Sequence, residues 1–148
     1  MLDNLGNLKL KADDQNDLKV FAAYLQDSLI VPSDIKFLPN NKSLICIFNR
    51  FMWEDAEKGF LRDNKRVRSA LKFNDVLSVK SKNIDKKDKE LVLEFLTMQI
   101  SKNKIGNYII GLIFSGNITI SIETEAIDST LEDFSDSWTT KLKPKHKI

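Results

Sequence analysis

The sequence predicts an α+β domain. Its expected form is a mostly antiparallel, twisted sheet or partial barrel, packed by one helix in the N-terminal half and another at the C-terminus. Three observations carry this. Several short runs alternate apolar and polar residues with a period of two and are separated by turn residues. Two stretches repeat apolar residues at spacings of three and four, the period of a helix. The order is strand, helix, mostly strands, then helix, which suits a sheet covered by its helices. The pleckstrin-homology-like plan has this outline and serves as an architectural analogy.

Leu8, Leu10 and Ala12 alternate with Lys9 and Lys11, a short half-exposed strand. Asp13-Asp14-Gln15-Asn16-Asp17 supplies helix-capping and first-turn acids. The following helix carries Leu18, Phe21, Ala22 and Leu25 on one side, and Pro32 forbids its continuation. Ile35 to Leu38 form a strand, and Pro39-Asn40-Asn41-Lys42 reads as a hairpin turn. The return strand, Leu44 to Glu54, is apolar on both faces over its first half, so it is expected to be central and covered on both sides. Asn49 and Arg50 are its polar intruders, one on each face.

Glu54 to Arg68 reads as a charged excursion, helical at most near its start. Val67 to Val79 recovers strand character with a break near Asn74-Asp75, and Lys80 to Lys89 reads as a loop. Leu91 to Ile100 is dense in apolar residues and reads as a strand, with helix an alternative for its first half. Tyr108 to Phe114 and Ile118 to Ile122 flank Ser115-Gly116-Asn117, a tight hairpin signal. Ile127, Leu131, Phe134 and Trp138 follow at spacings of four, three and four, predicting the C-terminal helix.

At 148 residues the chain suits one domain, with 1–7 and 141–148 as flexible ends. A hydrophobic fraction of 42%, a charged fraction of 30% and a net charge of +2 describe an ordinary soluble protein and do not by themselves argue for nucleic acid. The single cysteine, Cys46, excludes an intrachain disulfide and fits a reducing cytoplasm. Met1 to Asn7 lacks the apolar run of a signal peptide, and no run is long enough to span a bilayer. The expected location is the cytoplasm, without a membrane.

Catalytic inventory is short. The only histidine, His146, sits in the basic tail, and Cys46 lies among apolar residues without a fixed base. One histidine and one cysteine build no metal cluster, and the five glycines make no phosphate loop. No catalytic residue, metal or cofactor is expected. The enzymatic route left open is a carboxylate pair such as Glu54 and Asp55.

Binding residues are easier to nominate. Arg50 on an apolar face must emerge, pair with a carboxylate such as Glu54, or join Asn49 in lining a pocket beside Trp53 that grips an anion. Asn49, Arg50, Trp53 and Glu54 are therefore the candidate binding residues. Arg62, Lys65, Arg66, Arg68 and Lys72 form a basic patch opposed within that window by Asp63 alone. No aromatic stacking residue interrupts the patch before Lys72, so nucleic acid is the second reading.

Several segments together resemble an uncharacterised alphaproteobacterial family, the domain of unknown function 2948 family. They are Leu8-Lys-Leu-Lys-Ala with the acids after it, Leu25-Gln-Asp, Phe37-Leu-Pro, Asn49-Arg-Phe-Met-Trp-Glu, Leu71-Lys-Phe-Asn-Asp-Val-Leu-Ser-Val-Lys-Ser, and Trp138 with Pro144 and His146. The resemblance runs nearly the full length and implies no activity, cofactor or catalytic residue. The functional expectation is a non-enzymatic binding or adaptor domain with a protein partner. A nucleic-acid-associated protein using the basic patch comes second, and an enzyme with a carboxylate site third. A homo-oligomer through an exposed strand edge is also open.

Overall fold

The computed structural model describes residues 8–52 and 65–135, with the backbone of Trp138 and Thr139. Within them one helix packs on antiparallel strands. β1 (Lys9–Ala12) leads to α1 (Gln15–Leu25), as the amphipathic pattern requires. Asp14 caps the helix, its Oδ1 accepting from the Asp17 N–H at 2.8 Å, and Leu18, Phe21 and Leu25 face the core. The helix ends at Leu25, and Asp27, at φ 62°, turns the chain away well before Pro32. Leu29 and Ile30 then form β2, a two-residue strand the periodicity did not announce.

β3 (Ile35–Leu38) and β4 (Ser43–Phe51) make the expected hairpin, with Lys42 in the left-handed region at its turn. β5 (Lys65–Phe73) and β6 (Val76–Lys82) are separated by Asn74 and Asp75, the latter at φ 58°. β7 (Leu93–Lys102) settles the earlier ambiguity in favour of strand. β8 (Tyr108–Phe114) and β9 (Ile118–Thr124) close on Gly116 and Asn117, both at positive φ, as a tight hairpin demands. β10 (Ser129–Asp133) and β11 (Trp138–Thr139) complete the described strands.

The main sheet runs β1-β10-β5-β4-β2-β7-β8-β9-β6, with β3 added to β4 and β11 to β5. It is antiparallel throughout and open, ending on β1 and β6. β5 and β6 are one run of chain bent at residues 74–75, and β9 and β10 another bent at 125–128. Bonds from Asn74 N–H to the Asp128 carbonyl (2.8 Å) and from Glu125 N–H to the Asp75 carbonyl (3.0 Å) carry the ladder round that corner. Both halves of the sheet therefore turn apolar faces onto one core. Phe48, Phe95 and Phe114 meet edge to face in it, with centroids 5.8 and 5.9 Å apart.

Four expectations need correction. The predicted C-terminal helix is overturned where the chain is described: Ser129–Asp133 and Trp138–Thr139 are strand, and 125–128 is the corner before them. Between β1 and β5, period two buries Ser129, Leu131 and Asp133, and Phe134 is half exposed instead of sharing a helical stripe. Among the described residues no helix follows β9, so the pleckstrin-homology-like plan lacks the element that suggested it. Lys80 to Lys82, read as loop, continue β6 against β9. β4 is central, yet only one of its faces is fully buried: Leu44, Cys46, Phe48 and Arg50 are sealed while Ile45, Ile47 and Asn49 are half-buried. The Glu54 to Arg68 excursion is overturned where it is described, since Lys65 to Arg68 open β5 and pair with β4 and β11; 54–64 and the ends 1–7 and 141–148 lie outside the described residues. No helix among the described residues is long and apolar enough to cross a membrane.

Candidate functional site

Alternation along β4 decides where its polar intruders go. Arg50 shares parity with Leu44, Cys46 and Phe48, so its side chain enters the core and is 0% exposed. A buried guanidinium needs a counter-charge with matching geometry. β10 supplies it: Asp133 accepts from Arg50 Nε at 3.1 Å and from Nη2 at 2.7 Å. The same carboxylate accepts from the Ser69 hydroxyl on β5 and from the Leu8 N–H (3.2 Å), while the Asp133 N–H donates to the Leu8 carbonyl (2.9 Å). Tyr24 on α1 lays its ring 5.7 Å from the guanidinium carbon. One bidentate pair thus joins β4, β5, β10 and the entry to β1. Both side chains of the pair are 0% exposed.

Asn49, on the opposite face, is half-buried beside Ile47 and Asp34, in a recess of about 40 Å³ too small for more than a water or two. Its carbonyl accepts from Arg66 Nη1 at 3.1 Å. Trp53 and Glu54, the other two members of the expected site, lie outside the described residues. Asn49 and Arg50 themselves point to opposite faces of β4, so they do not line one pocket.

Period two also divides the basic patch. Arg66, Arg68 and Lys72 lie on the outer face of β5, Lys65 has the inward parity, and Arg62 is outside the described residues. Two of the outer cations are already engaged. Arg66 bonds the Asn49 and Asp27 carbonyls (3.1 and 3.5 Å) and lies over Phe51, 5.6 Å from its centroid. Desolvation holds its pKa below the ordinary arginine value, against the pull of Asp27 and Glu94. Arg68 reaches Asp34 at 3.7 Å and covers Phe134 at 6.0 Å. Lys72 is exposed.

Two chemical candidates are quiet. Cys46 is buried and its thiol is pushed up to about 12 by burial, which leaves no thiolate at neutral pH. Asp13, Asp14 and Asp17 bring carboxylate oxygens within 4.8 Å of one another at the start of α1. Their hydrogen bonds are those of a helix cap, with the Asp13 N–H donating to Asp17 Oδ2 at 3.1 Å. The contact with Asp17, first by side-chain hydrogen bonding and then by charge, raises the Asp13 pKa above 3.8.

A site that no single stretch of sequence announced lies between β3 and β6. An apolar opening of about 300 Å³ is walled by Ile35 and Phe37 of β3 and Val79 of β6, with Ile84 from the loop after β6. Ser81 and Lys86 are its polar lining. A bulge between Val76 and Ser78 makes this wall: it shifts the register by one residue, so that both Val76 and Val79 face inward. β3 pairs with β4 and β6 with β9, and among the described residues no further strand pairs with either, although the Val76 N–H at the start of β6 donates to the Lys42 carbonyl at 2.9 Å.

The fold and this opening define an antiparallel α+β protein with a small apolar recess and no described constellation of catalytic groups. The family model described as "Protein of unknown function (DUF2948)" matches residues 8–146, and the chain belongs to that family. No curated protein and no solved structure matches it.

Proposed function

We propose that the chain is a non-enzymatic cytoplasmic binding domain for a protein partner, and that its site is the opening between β3 and β6. The observation that carries this reading is the coincidence of an apolar recess with two strands that each pair with a single described strand. Unpaired edges are templates for a further strand, and apolar recesses receive side chains. Burial of Cys46 as an unreactive thiol suits a reducing compartment. The test is capture from the native extract with wild type and with Val79→Trp, which fills the recess. A partner retained by wild type and lost by a folded Val79→Trp supports the reading, and equal retention by both removes it.

Nucleic acid is the second reading, favoured by the placement of Arg66, Arg68 and Lys72 on one outer face of β5. Such binding weakens steeply with salt; no binding of single- or double-stranded probes at low salt removes it. An enzyme with a carboxylate site is the third reading, and its pair, Glu54 and Asp55, lies outside the described residues. A homo-oligomer would use the end strands β1 or β6, and sedimentation over a concentration series tests it.

A further inference from the structure

We infer that the occupant of the opening is an extended acidic peptide segment laid along the outer edge of β6, with an apolar side chain in the recess and a carboxylate against Lys86. This rests on the opening being the binding site. Its chemistry follows from three features of the walls.

The first is the edge. β6 ends the sheet among the described residues, and beyond Val76, whose N–H already donates to the Lys42 carbonyl, its stretch from Ser78 to Lys82 runs past the recess lined by Val79 and Ser81, so an added strand finds backbone partners beside a place for its side chains. The second is the recess, which at about 300 Å³ and with Ile35, Phe37, Val79 and Ile84 around it holds a side chain or two and not a folded partner. The third is charge. Lys86 lines the opening, Lys80 and Lys82 are exposed on β6 itself, and none of the three forms an ion pair with a described residue. Lysines on an edge strand discourage pairing with a neutral or basic strand, a copy of β6 included. They favour one with acids at alternate positions, whose intervening residues point into the recess.

The experiment titrates the full chain, followed by backbone amide NMR, with three probes: a blocked hexapeptide of alternating glutamate and valine, its lysine–valine counterpart, and octanoate. The expected result is binding of the acidic peptide, shifts confined to β3, β6 and residues 83–86, and slowed exchange of β6 amides. Lys86→Glu, an exposed-loop change that leaves the fold intact, should weaken that binding about tenfold or more, and the basic peptide should not bind. Equal binding of both peptides, or shifts elsewhere, would overturn the inference. Octanoate binding with the acidic peptide silent would overturn strand addition in favour of a small apolar carboxylate. If neither binds while Val79→Trp still abolishes capture, the acidic-strand inference fails and the binding-domain reading stands.

Discussion

Arg50 and Asp133, 83 positions apart in the chain, meet with Nη2 2.7 Å from Oδ2 and with both side chains 0% exposed. The contact fixes β10 against β4, and through Ser69 and Leu8 it holds β5 and the start of β1 to the same point. Breaking one side of such a pair leaves the other charge buried alone. Arg50→Met and Asp133→Ala should therefore each destabilise the fold by about 3–5 kcal/mol. Urea titration followed by far-UV circular dichroism checks this; a loss below about 1 kcal/mol for either, the range of an exposed pair, would show that the charge reaches water.

Asp14 is the cap of the only α-helix among the described residues, so Asp14→Ala should cost about 1 kcal/mol, and Asp14→Ser should restore most of it. Thermal melts of the two variants measure the difference. An unchanged melt for the alanine variant would mean that the Asp17 N–H finds water at no loss.

Asp13 gives a pH dependence with a definite sign. Its pKa is raised in the folded state by Asp17, so the folded chain binds more protons than the unfolded chain as pH rises through and above 3.8. Stability from this group therefore falls as pH rises through that window. Asp13→Asn should raise the melting temperature at pH 7, and the gain should vanish once the pH falls below the ordinary carboxylate range. A gain that persists in acid would assign the effect to something other than this carboxylate.

Cys46 should be inert to a disulfide reagent in the native state and react fully in denaturant, since burial pushes its thiol up to about 12. Native modification at a rate independent of denaturant would contradict that burial.

Much of this architecture is legible in the sequence because period two and turn chemistry act locally. The β8–β9 hairpin, the corner at Asn74-Asp75 and α1 with its acidic cap all follow from neighbouring residues. What escaped depends on distant ones. Ser129 and Asp133 occupy buried strand positions, so β10 shows no apolar alternation, and the accidental spacing of Ile127, Leu131 and Phe134 imitates a helix. Only the arrival of Arg50 and Ser69 makes an aspartate tolerable there. Bulges hide inward positions in the same way: Phe95 and Met98, three apart on β7, are both buried because the register shifts between Phe95 and Thr97.

The candidate site shows the same limit. Arg50 is conspicuous in sequence because it breaks an apolar face, and that face is where it is buried. The opening between β3 and β6 is built from residues 35, 37, 79, 81, 84 and 86, each unremarkable within its own segment. Its edges exist because β3 and β6 add to different strands, a property of sheet order and not of any local pattern.

The central claim is that Arg50 holds the fold while binding belongs to the opening. Replacing the buried pair by apolar residues separates these roles, since such replacements are often neutral or stabilising. The variant Arg50→Met, Asp133→Leu and Ser69→Ala should melt near wild type and capture the same partner from the native extract, with Val79→Trp as the binding-deficient control. A variant that melts like wild type yet captures nothing would contradict the claim and return Arg50 to the role of ligand grip.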